Sequence, residues 1–149
     1  METLPTYRRI LCATDGSDLA HLAGLHAIAL ALKTGAELHL LAVVDTHGVF
    51  RLGIHAAEGL HELRGACDAA LERLAAVARA HGLEPQTELA EGRPGPTIVR
   101  IAQELGVDLI VLGARGESAL EAVIVGSVSQ YVLAHARQSV LVVHPPEGS

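Results

Sequence analysis

Leu38-His39-Leu40-Leu41-Ala42-Val43-Val44 is apolar at every position but one. A half-exposed strand alternates apolar and polar residues. A run broken only by His39 suits a strand buried on both faces, as in a parallel sheet. Upstream, Ile10 to Ala13 is a second short apolar run, and Thr14-Asp15-Gly16-Ser17-Asp18 supplies turn and N-cap residues. Leu22, Leu25, Ile28 and Leu32 follow at helical spacing, with Gly35 as the stop. Downstream, Asp45 to Ala57 holds Gly48 and Gly53 without a clean period and reads as irregular. Leu60, Leu63, Cys67, Leu71, Leu74 and Ala78 mark a long amphipathic helix ending at His81-Gly82. Gln86 to Ala90 is a weak polar strand, expected at a sheet edge. After the loop Gly92-Arg93-Pro94-Gly95-Pro96, Thr97 is expected to cap a helix that runs through Leu105 and stops at Gly106. Asp108 to Leu112 is another buried strand, Gly113 to Val125 a loop, Ser127 to Ala136 a helix and Val140 to Val143 the last strand, closed by Pro145-Pro146.

Strand and helix thus alternate from end to end. The expectation is an α/β fold: one doubly wound, five-stranded parallel sheet spanning 1–149, with right-handed crossovers and no internal repeat. In such sheets ligands lie beyond the carboxyl ends of the strands, where the winding reverses. With strand order 3-2-1-4-5 that point falls between the first and fourth strands. Thr14-Asp15-Gly16 and Gly113-Ala114-Arg115-Gly116 stand there.

Composition narrows the function. Half of the 149 residues are apolar and 19% are charged, which excludes a disordered tail. The net charge of −6 repels a phosphate backbone, and Tyr7, Phe50 and Tyr131 are the only aromatic residues. Nucleic acid is therefore not the expected partner. Lys33 is the only lysine and lies outside any Gly-Lys-Ser/Thr sequence, so there is no Walker phosphate loop. Cys12 and Cys67 form no C-x-x-C pair, and Cys12 reads as a small buried hydrophobe. The polar N-terminus and the lack of a long apolar run point to a reduced cytoplasmic protein without a membrane span.

The densest constellation is Gly113-x-x-Gly116, nine residues, then Gly126-Ser127. Gly113 leaves a buried strand, where a missing side chain lets a ligand approach the backbone. Gly116 allows a positive φ that turns successive amides into one concavity. Gly126-Ser127 opens a helix whose free N–H groups suit phosphate, and the hydroxyls of Ser127 and Ser129 add donors. The same residues also fit a plain loop with an ordinary serine cap, and Asp15 fits an ordinary helix cap. The nine histidines read as surface groups rather than a metal site, His47, His55 and His61 included. Glu117 and Glu121 read as a solvated face rather than an acid/base pair. No G-x-S-x-G elbow offers a nucleophile.

The chain resembles the universal stress protein family over nearly its whole length. The resemblance rests on Ile10 to Ser17, Gly106 to Gly116, Val125 to Ser129 and Ser139 to Val143. The pattern G-x2-G-x9-G-S/T of the family's ATP-binding subgroup is satisfied at each fixed position. The resemblance implies a Rossmann-like fold of the adenine nucleotide alpha hydrolase-like kind. It also implies roles. Gly113, Gly116, Gly126 and Ser127 would line the phosphate site with the amides of Val128 and Ser129. Asp15 would face the adenosine or a Mg²⁺ held by the phosphates, no metal being bound by protein side chains alone. Val43 would pair its backbone with the adenine edge, Ala13 and Thr14 would complete the floor, and Arg115 would neutralise phosphate charge. Ala13 departs from the Val or Pro often found there.

An ATP-binding regulatory module with an unidentified protein partner is the leading expectation. A slow ATPase or nucleotidyl-transfer enzyme of the same fold is the alternative, although no placed general base is evident and the Ser-Gly-Gly-x-Asp-Ser and His-x-Gly-His patterns are absent. A dimerising protein with an empty pocket is the third. The apolar strand Val140 to Val143 is an uncovered edge, and the resemblance implies a homodimer through it. Asp45 to Ala57 is expected to be the most mobile segment and to act as a lid.

Overall fold

The computed structural model describes residues 1–115 and 126–146, with the backbone alone at 51 and 52. Its elements are β1 (Arg9–Thr14), α1 (Asp18–Thr34), β2 (Glu37–Asp45), α2 (Thr46–Val49), a 3₁₀ segment (Phe50–His55), α3 (Ala56–Ala80), β3 (Gln86–Gly92), α4 (Pro94–Leu105), β4 (Leu109–Gly113), α5 (Ser127–His135) and β5 (Ser139–Val143). The strands form one sheet in the order β3-β2-β1-β4-β5, and each adjacent pair is parallel. The winding reverses between β1 and β4, as expected for the strand order 3-2-1-4-5. No described helix is long and apolar enough to cross a membrane.

The pleat explains why β1 and β2 read as continuous apolar runs. Successive side chains point to opposite faces, and both faces are covered. Ile10, Cys12, Leu38, Leu40, Ala42 and Val44 pack on one side with α1 and α3. Leu11, Ala13 and Leu41 pack on the other with Ile98, Ile101 and Ala102 of α4 and Val132 of α5. Cys12 is fully buried, and burial pushes its thiol up to about 12, so it is an inert core group.

Four local outcomes differ from the sequence expectation. The leucines that mark α1 are not the residues it buries. Ala20, Ala23, Gly24, Ala27, Ile28 and Ala31 are buried, whereas Leu25 and Leu32 are 37% and 44% exposed. Small residues let the helix axis come close, and the leucines are left outside. The second concerns α4, which starts at Pro94 behind an Arg93 N-cap rather than at Thr97. First-turn amides have no helical acceptor, so proline costs nothing there and its fixed φ suits the start. Thr97 is buried inside the helix, its amide closing the first bond to the Arg93 carbonyl at 3.1 Å. The third concerns Asp45 to Ala57, which is not irregular. It holds α2 and the 3₁₀ segment, kinked at Gly53 with φ 61° and ψ −117°. Turns this short are below one hydrophobic period, so no periodicity announces them. The fourth is His39, which is 8% exposed and buried in the sheet rather than on the surface. Its Nε2 lies 3.5 Å from a Glu37 carboxylate oxygen.

The two strands flanking the reversal are also tied at their start. Asp108 Oδ2 accepts the amides of Arg9 at 2.9 Å and Arg8 at 2.6 Å. These backbone bonds, Arg9 first, hold the Asp108 carboxyl below the usual carboxylate range. A depressed carboxylate contributes stability above its unfolded pKa and loses it as pH falls through the folded value. Asp108→Asn is therefore expected to lower Tm at pH 7, with the gap to the parent closing as the pH falls below the ordinary carboxylate range and through the lowered folded value. Thermal unfolding across pH 2 to 7 by circular dichroism checks it, and a constant gap would remove the linkage.

Candidate functional site

The exit of β1 is a chain of side-chain-to-amide bonds. The Gly16 amide donates to Thr14 Oγ1 at 3.2 Å, the Ser17 amide to Asp15 Oδ1 at 3.0 Å, and the Ala20 amide to Ser17 Oγ at 3.1 Å. Ser17, not Asp15, is thus the N-cap of α1. Gly16 turns at φ +85°, a region that disfavours other residues. Thr14 is buried and Asp15 exposed, so the turn presents a carboxylate on a braced loop.

The end of β4 is pressed against this turn. A Cβ on Gly113 would lie 3.3 Å from the Ala20 nitrogen and from Leu19. The missing side chain therefore lets the first turn of α1 sit directly on β4. Beyond Gly113, the Ala114 amide donates to the Val143 carbonyl at 2.8 Å.

The start of α5 closes the third side. The Gly126 amide donates to the Ala114 carbonyl at 2.5 Å, and Ser129 Oγ donates to the Gly113 carbonyl at 2.7 Å. A Cβ on Gly126 would lie 3.1 Å from Arg115 Cα. Like Gly113, Gly126 is bare because chain packs against chain. Gly126 is the N-cap and supplies no side-chain cap, and the first helical bond runs from the Gln130 amide to the Gly126 carbonyl. The amides of Ser127, Val128 and Ser129 therefore have no acceptor within the helix. Val128 turns its side chain to the core, Ser129 is buried, and Ser127 is exposed. What the helix start offers is backbone N–H and the Ser127 hydroxyl, because the Ser129 hydroxyl proton is already engaged.

Ala13 and Thr14, at the end of β1, are buried. Val43 stands at the side. The β1 register ends at Thr14 opposite Ala42, while β2 continues beside β3 through Val43, Val44 and Asp45. No β1 residue registers with Val43, which is half-buried. Arg115 is half-buried in the segment after β4. Gly116, with the positive φ expected of it, lies outside the described residues, as do Glu117 and Glu121.

One wall was not visible in the sequence. Cys67, in the middle of α3, is buried, and its thiol is pushed up by burial first and then by the carboxylates of Asp68 and Asp15. A Cβ on Gly16 would touch Ala70 at 3.7 Å. The centre of α3 thus backs the Thr14–Ser17 turn, although the helical spacing marks Cys67 only as a core position. Among the described residues no group of three His, Cys, Asp or Glu is placed to hold a metal ion.

Comparison with known proteins follows the same outline. Residues 6–144 match the universal stress protein family. A universal stress protein of Methanocaldococcus jannaschii is 36% identical over 146 residues, covering 95% of this chain and 84% of that protein. The solved structure of the universal stress protein UspA from Lactobacillus plantarum superposes with a TM-score of 0.85 at 30% identity, over 94% of this chain and 99% of that one. A universal stress protein solved in complex with cAMP matches with a TM-score of 0.70 at 26% identity, over 94% and 98% of the two chains.

Proposed function

Since the chain belongs to the universal stress protein family, we propose that it binds an adenine nucleotide, ATP foremost, in the crevice between β1 and β4. Binding would serve regulation of a partner rather than turnover. The observation that carries this reading is the convergence of the braced Asp15 turn, the bare end of β4 and three amides at the start of α5 that have no acceptor within their own helix. A helix start of this kind favours phosphate, since its N–H groups and positive dipole end face the anion. The relative solved with cAMP supports an adenine ligand.

In this reading the amides of Ser127, Val128 and Ser129 hold the phosphates, with Gly113, Gly116 and Gly126 keeping the backbone close and Arg115 balancing charge. The Val43 backbone receives the adenine edge over Ala13 and Thr14. Mg²⁺ fits as a phosphate-held ion with Asp15 as a carboxylate neighbour, since magnesium commonly keeps several waters and one or two carboxylates. It would neutralise phosphate charge. Calorimetric titration with ATP-Mg tests the reading, together with mass spectrometry of the freshly purified, denatured protein for carried nucleotide. Absence of binding at millimolar ATP refutes it, and steady release of phosphate moves the protein to the slow-ATPase alternative.

Two further expectations belong to this reading. A homodimer along the outer edge of β5 is supported by Val140, Leu141 and Val142, half-buried and uncharged on an edge strand. Leu141→Lys should shift the protein to monomer in analytical ultracentrifugation, and an unchanged dimer moves the interface elsewhere. The α2 and 3₁₀ segments follow β2 directly beyond Val43 and carry exposed Phe50 and Ile54. Their amides should exchange faster without nucleotide than with it by hydrogen-exchange mass spectrometry. Equal protection in both states removes the lid.

A further inference from the structure

Tyr7, Phe50 and Tyr131 are the aromatic residues of the chain, and two of them are out of reach of a ligand in the crevice. Tyr7 precedes β1, at the amino end of a parallel sheet, whereas the crevice lies at the carboxyl end. Tyr131 is half-buried in α5. Its ring fills the space left by Gly95, where a Cβ would come within 2.9 Å of it, and it stacks on His135 with centroids 4.0 Å apart. Phe50 is different. It opens the 3₁₀ segment and is 72% exposed, although its neighbour Val49 is 7% exposed. The turn is thus seated on the fold by its valine while the phenyl ring is left outside.

The place of that ring follows from the chain path. β2 runs on past Val43 and ends at Asp45, whose Oδ1 accepts the His47 amide at 3.1 Å and folds the chain straight into α2. Two strand residues and little more than one helical turn separate Phe50 from Val43, a span of at most roughly 15 Å. Beyond Phe50 the segment kinks at Gly53, with φ 61° and ψ −117°, a backbone that other residues rarely adopt. Nothing lies within 4 Å of where a Cβ on Gly53 would stand, so the conformation and not the packing calls for glycine there. A kink between short helical turns is a place where a segment can swing.

We propose that Phe50 is the base-stacking residue of the crevice: the α2 turn pivots at Gly53 and lays the phenyl ring on the outer face of a purine whose edge meets Val43. The inference rests on the nucleotide reading above and adds the choice of base to it. Backbone amides at the start of α5 recognise phosphate and are blind to the base. An aromatic face rewards the base itself, and a purine offers it more area than a pyrimidine does. A base is the fitting occupant because one ring is enough to stack it. A protein partner needs a patch of about 800 Å² on each side. Phe50 is flanked on the α2 side by Thr46, His47 and Gly48, and the exposed Ile54 stands beyond the kink.

Fluorescence and calorimetry test the proposal. The chain has no tryptophan, so Phe50→Trp introduces a single indole as a reporter. Its emission should change on addition of ATP-Mg, in step with the calorimetric titration. Phe50→Ala should weaken ATP binding at least ~10-fold and narrow the preference for ATP over CTP. Phe50→Leu keeps apolar bulk without the ring and should lose the same preference. The side chain is exposed, so all three variants should keep the parent's circular dichroism and Tm. A parent that binds no ATP refutes the nucleotide reading, and this inference with it. A parent that binds ATP leaves that reading standing, and three results then overturn the stacking role alone. They are Phe50→Ala binding ATP as tightly as the parent, equal affinity of the parent for ATP and CTP, and Phe50→Trp emission unmoved by saturating ATP. A second copy or another protein as the true occupant of Phe50 would appear as the first of these three.

Discussion

Gly126→Val is expected to weaken ATP binding at least ~100-fold, about 2.7 kcal/mol. Gly126 sits where α5 begins, its amide on the Ala114 carbonyl and its Cα facing Arg115. A first side-chain carbon there would stand 3.1 Å from Arg115 Cα, closer than backbone and Cβ normally come. The neighbour is main chain and cannot rotate aside. Either the segment after β4 or the start of α5 must move, and the amides of Ser127 to Ser129 move with it. Catalytic and binding backbone held by geometry alone is sensitive to shifts of this size. The substitution should also cost stability by roughly 1–3 kcal/mol, as overpacking does. Gly126→Ala brings the same first carbon without the branches of valine, so both losses should appear in smaller measure. Calorimetry with ATP-Mg and thermal unfolding on both variants are the measurements. Binding by folded Gly126→Val as tight as the parent's would falsify the phosphate site.

The second large effect concerns the layer that supports the site. In an exposed helix Gly→Ala is stabilising by up to about 1 kcal/mol. At Gly24 the sign should reverse. A Cβ there would fall 2.3 Å from Leu74 Cδ2, and Leu74 is completely buried in α3 among Leu71, Ala75 and Ala78. Leu74 is fully buried, so it must re-seat within the packed core, and Gly24→Ala should destabilise by about 1–3 kcal/mol. Leu74→Ala alone should cost about 2–5 kcal/mol, because it leaves a cavity between α1 and α3. The double variant replaces a large–small pair by two small residues and should be less unstable than the two losses added together. Urea unfolding of the four proteins gives the coupling energy, and strict additivity would show that the two residues do not share that space.

Legibility of this molecule in its sequence followed the range of the cause. The strands could be read because burial on both faces leaves an uninterrupted apolar run, as at Leu38 to Val44. Gly35 and Gly106 marked helix ends because both occupy the left-handed region that other residues avoid. With the strand order 3-2-1-4-5 expected, the β1–β4 reversal followed, and with it the neighbouring of the strand ends that carry Asp15 and Gly113. Causes that act at a distance left no local trace. The buried face of α1 is set by how closely a helix may approach the sheet, which favours Ala27 over Leu25. The α3 wall at Cys67 and Ala70 is about 50 positions from the turn it backs. The glycines of the motif were visible as ligand signals, whereas the described geometry shows chain-to-chain contacts at two of them. Spacing alone carries no sign of those contacts.

The bond from the Ala114 amide to the Val143 carbonyl has a consequence for communication. It joins the first residue beyond β4 to the last residue of the edge strand. Ala114 in turn accepts from Gly126, so crevice and edge form one continuous hydrogen-bonded lever. If nucleotide is held there as proposed, a shift of Gly126 toward its phosphates would pass to Ala114 and through it to the end of β5. If chains pair along that strand, occupancy and assembly must be linked reciprocally: the factor by which nucleotide tightens the dimer is the factor by which dimerisation tightens nucleotide. A titration repeated at rising protein concentration would then read the strength of the lever directly.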